Sequence, residues 1–302
     1  SPSPAIATNV GETATTGVTP TTGSATTAAS PTVAPTAPPP PTAAPVPIYP
    51  EPPPERGVLR DKNGALVPVN RPKGVQQPAV TPNGDFYVVT KNAAGDPRLD
   101  ARSWRVVIDG AVNTPVQLDY LTLRRLPSVS IYKTLECVSN LVAKCELTAF
   151  GCDLTSTAAW TGARLSDVLA LAGGLKPGVV SIVAYGADEF SAALPVAVVN
   201  DPESLLAYGM NDGVLPREHG FPVRLIVPDR YGFKSTKWLV NLRPMTQPFL
   251  DWYGQRNWTR DGIVKTMSRI DVPAPNATVP AGQARIAGIA YGGARGVSKV
   301  EF

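Results

Sequence analysis

No lysine or arginine precedes Arg56, and the first 56 residues are mostly Pro, Ala, Thr, Ser and Val. Such a segment buries too little apolar surface to offset the entropy of ordering it. Residues 1–57 therefore read as a disordered or extended, polyproline-like linker. Folding is confined to the residues beyond 57, which suffice for one sizeable domain plus part of another. We expect a main domain over 58–273 and the start of a second, β-rich unit over 274–302.

The 302-residue chain carries a net charge of +4, with 17% charged residues. Its basic residues are scattered and lack interleaved aromatics, which argues against nucleic acid as a partner. No apolar stretch is long enough to span a bilayer, and no signal peptide is visible. The chain begins at Ser1 and not at Met, which reads as a fragment or processed product. A Pro/Ala/Thr-rich leader is typical of a spacer holding a domain off a membrane or wall. We therefore expect an extracytoplasmic protein, tethered through a segment upstream of Ser1.

Residues 208–238, YGMNDGVLPREHGFPVRLIVPDRYGFKSTKW, concentrate the polar chemistry. The chain's single histidine, His219, lies here with Arg224, Arg230, Lys234 and Lys237. Leu225-Ile226-Val227 reads as a short buried strand, and Gly220, Pro222, Pro228 and Gly232 mark turns at its ends. Cations, a histidine and turn N–H groups gathered this way suit an anionic, phosphate-bearing ligand. An ordinary basic strand-and-turn surface would look the same.

Around this stretch the pattern is α+β. Strands are expected at Trp104–Gly110, Val116–Leu118, Ile131–Leu135, Val179–Tyr185 and Phe190–Pro195. Short helices are expected at Tyr120–Leu126, ending at Pro127, in the turn after Trp160-Thr161-Gly162, and at Pro202–Leu206. Ala284–Ala290 and Val297–Phe302 alternate as strands. Of three cysteines, Cys145 and Cys152 flank a short loop and would pair in an exported protein. Cys137 is then the odd thiol. A free cysteine is often only a small buried hydrophobe.

The order of residues carries more than their types. LAY-x-MN, LP-x-x-HG-x-PVR, VP and YG-x-K-x-x-KW succeed one another between Leu206 and Trp238. This series resembles the signature of the sulfite oxidase family of molybdopterin enzymes, and the likeness extends from about Asn83 to Phe302. The stretch Thr134–Asn140, TLECVSN, is similar to that family's molybdenum-cysteine loop. The resemblance implies a mixed-sheet, molybdopterin-binding α+β fold followed by the start of an immunoglobulin-like domain, which when complete would pair two copies. It implies Mo-molybdopterin as cofactor and Cys137 as metal ligand. It implies His219, Arg224, Ser235, Thr236 and Lys237 as holders of the pterin and its phosphate.

By the same resemblance Phe86, Tyr87 and Asp188 would contact the pterin, and Tyr208 would face the metal's substrate side. Each has a plainer alternative: core packing for Phe86, Tyr87 and Tyr208, and an Asx-turn for Asp188. Trp252, Tyr253, Arg256 and Trp258 are similar to an aromatic stretch near the family's pocket mouth. Val89, Leu141 and Val142 stand where sulfite-oxidising members carry arginines, which points away from sulfite and towards an S- or N-oxide. The expected reaction is two-electron oxygen-atom transfer on a small molecule. A Cys-x-x-Cys-His motif is absent and one histidine cannot ligate haem twice. Electrons would come from a separate partner, such as a membrane component. The rival reading is a displayed binding module that keeps the fold without cofactor.

Overall fold

The computed structural model describes residues 12–15, 49–141 and 152–301. Strands in chain order are β1 (Glu12–Thr15), β2 (Ala65–Val67), β3 (Val88–Thr90), β4 (Arg105–Ile108), β5 (Val116–Asp119), β6 (Ser128–Glu136), β7 (Thr155–Arg164), β8 (Ser181–Gly186), β9 (Ser191–Pro195), β10 (Leu205–Met210), β11 (Gly213–Val214), β12 (Arg224–Ile226), β13 (Leu239–Met245), β14 (Met267–Val272) and β15 (Gln283–Tyr291). Two short helices, α1 (Tyr120–Arg125) and α2 (Leu165–Ala170), join them. The chain divides into two compact units. One holds 40–70 and 80–264, the other 1–39, 71–79 and 265–302.

The larger unit has two five-stranded sheets and a hairpin of β2 with β3. One sheet runs β11-β10-β7-β6, with β12 also on β10. The other runs β5-β4-β13-β8-β9, and its β4–β13 pair is parallel while the rest is antiparallel. The expected α+β class with mixed sheets is what forms. Nine of the ten residues of β7 are buried, so this strand is enclosed on both faces and reads as a continuous apolar and small-residue run. Gly162 lets β10 approach, since a Cβ there would lie 2.2 Å from the Leu206 carbonyl oxygen.

β10 decides which side chains reach the functional face. Successive residues of a strand point to opposite faces. Leu206 and Tyr208 join one core with Trp104, Tyr120 and Leu239. Leu205 and Ala207 join the other with Phe86, Tyr87 and Trp160, and a register shift after Ala207 puts Met210 there too.

Local chemistry explains the short helices. The Asp119 carboxylate accepts the Thr122 N–H at 2.7 Å and caps α1, while Arg124 and Arg125 occupy its last turn. The helix expected at Pro202–Leu206 does not form. Leu205 and Leu206 are drawn into β10, paired with β7 and β12.

In the smaller unit, β14 and β15 form an antiparallel pair, and β1 lies on the outer edge of β15. Within the expected linker, Glu12–Thr15 is thus strand, because a threonine-rich segment can pair with an open edge. The Asp271 carboxylate is buried. It takes the Arg269 Nε at 2.7 Å, Arg71 at 3.1 Å and the Gln77 N–H at 2.9 Å, which ties residues 71–79 to β14. The strand expected from Val297 is absent over 297–301. A 3₁₀ turn at Gly293–Arg295 precedes that segment, and it pairs with no described strand.

Candidate active site

A cleft in the larger unit brings together Cys137, Phe86, Tyr87, Asp188, His219, Arg224, Ser235, Thr236 and Lys237. Residues from five separate stretches converge here, so the site exists only in the folded chain.

Cys137 is placed by the turn after β6. Its N–H donates to the Leu154 carbonyl at 2.9 Å, and its carbonyl accepts from the Asn140 N–H at 2.8 Å. The Asn140 side chain is a buried staple. Its amide donates to Glu136 Oε1 at 3.0 Å and to Thr155 Oγ1 at 2.8 Å, and its oxygen accepts the Leu154 N–H at 3.0 Å. Cys137 is the free cysteine of the described residues. Burial pushes its thiol up, a Ser139 hydrogen bond opposes this, and the neighbouring Glu136 pushes it further. Glu136 itself is raised to about 7 by burial. The pairing of Cys152 with Cys145 falls on a residue outside those described.

Cations line the same cleft. Arg224 is buried, with Nε donating to the Ser235 carbonyl and NH1 to the His219 carbonyl, both at 3.2 Å, and its guanidinium over the Trp160 ring. Burial lowers its pKa to about 10. Lys237 donates to the Val89 carbonyl at 3.1 Å and the Glu218 carbonyl at 2.9 Å. Gly220, at φ +115°, ends the 3₁₀ turn Arg217–His219 where a Cβ would lie 3.0 Å from the Lys237 Cα. His219 is 1% exposed and held well below its ordinary pKa, first by burial and then by Arg224 and Lys237. It is therefore a neutral imidazole. With Nε2 donating to the Asn83 carbonyl at 3.4 Å, Nδ1 is left as an acceptor. It brings no charge to an anion site, unlike its two cationic neighbours.

Phe86 and Tyr87 are both core and site. Phe86 stacks on Tyr87 at 5.3 Å and meets His219 edge-on at 5.1 Å, yet both rings line the cleft. Asp188 also lines it, but its Oδ1 accepts the Phe190 N–H at 3.2 Å and its Oδ2 the Asn92 amide at 3.2 Å. The Asx-turn expected as the plainer alternative is present.

Two sequence assignments move. Tyr208 is not in the cleft. It packs against Tyr120 at 6.3 Å with the Arg124 guanidinium 4.7 Å over its ring, on the other face of β10. Lys234, grouped by sequence with the anion-binding set, is instead fully buried against Asp251 at 2.6 Å.

The cleft also contains residues that sequence reasoning passed over: Glu218, Phe190, Phe233 and Lys91. Arg56, assigned to the linker, donates to the Gly84 and Phe86 carbonyls, and Glu55 pairs with Arg217 at 2.6 Å. Only the lack of any other basic residue before Arg56 hinted at this.

Comparisons with known proteins identify the family. Residues 93–253 match the family described as "Oxidoreductase molybdopterin binding domain". The chain belongs to this family, that of the sulfite oxidases. It is 34% identical over 258 residues to mitochondrial sulfite oxidase of Macaca fascicularis, covering 74% of this chain and 47% of that protein. It is 28% identical to sulfite oxidase of Arabidopsis thaliana, with 74% and 67% covered. It is 32% identical over 193 residues to nitrate reductase [NADH] of Ulva prolifera, with 58% and 22% covered. The sulfane dehydrogenase SoxCD structure from Paracoccus pantotrophus shares the fold, with a TM-score of 0.57 and 24% identity over 66% of this chain and 55% of that one. The chain spans about half the length of the mammalian relatives.

Membership implies Mo-molybdopterin as the cofactor, and the residues fit it. Arg224 and Lys237 supply charge for a phosphate. Thr236 Oγ1 is buried with no hydrogen-bond partner among the described residues. Gly232 makes way for the Tyr87 hydroxyl, which a Cβ there would meet at 2.6 Å, and so lets that ring line the cleft. Cys137 adds a soft thiol to the same lining.

Lys237 gives the cofactor-free protein a distinctive pH response. Its pKa falls from 10.5 to about 8, mainly through burial, with Asp96 opposing and Arg224 adding to the fall. Between these values the unfolded chain binds more protons than the folded one, so stability rises with pH from about 8 to 10.5 and is flat below. The full span corresponds to about 3 kcal/mol, less in practice because the side chain keeps some contact with water. We expect Lys237→Met to remove this rise in cofactor-free protein and to lower molybdenum content in loaded preparations. Melting curves at pH 7.5 and 10 test it; parallel curves for parent and variant would refute it.

Proposed function

We propose that the chain is the catalytic core of a molybdopterin oxidoreductase that performs two-electron oxygen-atom transfer on an S- or N-oxide, with Cys137 as the protein ligand to molybdenum. One observation carries the reading: a single cleft is lined by a free thiol, the buried Arg224 and the half-buried Lys237. When bound, the cofactor supplies the two-electron redox centre, and the protein supplies binding, orientation and electrostatics. Arg224 and Lys237 would anchor the phosphate, the arginine through a planar fork and the lysine as a point charge. Neutral His219 and the unpartnered Thr236 hydroxyl would take hydrogen bonds from or give them to the pterin. Phe86 and Tyr87 would form its apolar floor.

Val89, in the slot of a sulfite-binding arginine, lies in β3 and offers the cleft an apolar side chain. Leu141 is 39% exposed and likewise brings no charge. Both favour an oxide substrate over sulfite. Electrons would reach the site from a separate partner, such as a membrane component. We place the protein outside the cytoplasm, with the β14–β15 pair as the start of an immunoglobulin-like unit through which two copies join. In that compartment Cys145 and Cys152 would close a disulfide worth about 2 kcal/mol. Peptide mass spectrometry without reductant should find it, and free thiols at both positions would exclude it.

Elemental and pterin analysis of the purified protein tests the central claim. Near-stoichiometric molybdenum is expected. Protein that cannot be loaded, yet folds and displays the cleft, would establish the cofactor-free binding module instead.

A further inference from the structure

A second set of contacts reaches the cofactor-holding residues from outside the cleft. Residues 50–54 read Pro-Glu-Pro-Pro-Pro, a stiff sequence that loses little entropy when it is laid down along one extended path. Pro50 is buried, and just before it the Arg102 guanidinium lies 5.9 Å over the Tyr49 ring. At the other end of the run, Glu55 forms ion pairs with Arg217 Nε at 2.6 Å and with Arg98 at 3.5 Å. Arg56 then donates from NH1 to the Gly84 carbonyl and from NH2 to the Phe86 carbonyl at 3.0 Å.

These two residues grip two loops that face the cofactor. Arg56 holds residues 84–86, which deliver the Phe86 ring to the cleft, and the adjoining Asn83 carbonyl is the partner of His219 Nε2. Glu55 holds the 3₁₀ turn Arg217–His219. The carbonyls of that turn accept the Lys237 ammonium, at Glu218, at 2.9 Å and the Trp238 indole N–H, at Arg217, at 2.8 Å. The Arg56 charge is also felt in the cleft. Burial raises the Glu218 carboxyl, and Arg56 opposes the rise. Burial, Arg224 and Lys237 hold His219 down, and Arg56 adds to the fall. Neither Glu55 nor Arg56 lines the cleft, so each acts through the residues it grips.

We infer that Arg56 is a positioning residue for the cofactor, and that residues 50–56 form a clasp whose docking and cofactor retention reinforce each other. Two physical effects couple them. The docked clasp fixes both loops in the arrangement that presents Phe86, His219 and Lys237 to the cleft. A bound phosphate offsets the repulsion that Arg56 otherwise meets from Arg224 and Lys237. The coupling is reciprocal: whatever the clasp adds to cofactor affinity, the cofactor adds to clasp docking. The inference goes beyond the reaction proposed above, since it holds for any substrate.

The full chain is prepared with cofactor and, from cells unable to make the pterin, without it. Trypsin can cut the Arg56-Gly57 bond only when the Arg56 side chain leaves its two carbonyls, so this cut reports undocking. The cut after the exposed Lys299 is the control. Loaded protein should be cut after Arg56 about tenfold more slowly than cofactor-free protein, a usual size for coupling between sites, with cutting after Lys299 unchanged. On dialysis, Arg56→Ala should lose pterin about tenfold faster than the parent. Arg56→Lys restores the charge without the planar fork and should fall between them. Glu55→Gln removes a partly exposed ion pair and should speed the loss only about two- to threefold. A merely structural tie would lower the melting points of loaded and cofactor-free protein alike and leave pterin retention as in the parent. That result, or equal cutting after Arg56 in the two forms, would overturn the inference. The trypsin comparison needs no variant, so it decides the matter even where Arg56→Ala fails to fold.

Discussion

Cys137→Ser should fold and melt like the parent and have no measurable oxygen-atom-transfer activity. The exchange is nearly isosteric, and the turn is fixed by backbone bonds and by Asn140, none of which uses the sulfur. The expected melting shift is small, within about 0.5–1 kcal/mol of stability. The activity loss should exceed the roughly 10–100-fold seen when only an outer-shell partner of a metal ligand is removed. A thiolate is a soft donor, and a serine hydroxyl stays protonated and hard. The proposed phosphate anchors Arg224 and Lys237 are untouched, so pterin content should fall far less than activity. Parent-like turnover of the variant with an oxide substrate would remove Cys137 from the metal.

How much of the site was legible in the sequence depends on the range of each interaction. Cys137 could be found because it is the unpaired member of an odd set and sits in a short local motif. Arg224 and Lys237 belong to an ordered series of residues, and the order survives without knowledge of packing. Tyr208 was misplaced for a structural reason. In Leu205-Leu206-Ala207-Tyr208 both strand faces are apolar, so alternation cannot tell them apart, and the register shift after Ala207 appears only once β7 is paired. The short helix read at Pro202–Leu206 failed because pairing with β7 and β12 outweighs a local helix-start pattern.

Charge was hardest to read. A lysine in a basic stretch looks like part of an anion site until its partner is seen, and Asp251 lies 17 residues downstream of Lys234. His219 is similar. Its type suggests a cation near neutral pH, but burial and two adjacent cations make it neutral. Asp188 looked like a pterin contact or a turn cap, and only its bonds to the Phe190 N–H and the Asn92 amide show that its oxygens are engaged.

Lys234→Met should destabilise the protein by about 3–5 kcal/mol, the usual cost of removing one member of a buried ion pair. The Lys234 side chain is fully buried, and its ammonium bonds Asp251 at 2.6 Å and the Ala193 carbonyl at 3.0 Å. Burial lowers its pKa, and the bond to Asp251 opposes the fall. Removing the cation strands the Asp251 carboxylate, which keeps the N–H groups of Ala193 and Gly254 but loses its counter-charge. At about 2–4 °C per kcal/mol for a unit of this size, the melting point should drop by roughly 10 °C. Restoring neutrality while keeping an acceptor for the Ala193 and Gly254 N–H groups should recover part of this, so Lys234→Met with Asp251→Asn should be more stable than Lys234→Met alone. The pair also links the 3₁₀ turn carrying Phe233 to the segment carrying Tyr253 and Trp258. A single variant within about 1 kcal/mol of the parent would show that Lys234 reaches water and that the pair is not buried in solution. A double variant no better than the single would mean that the loss comes from packing of the lysine stem, not from the orphaned charge.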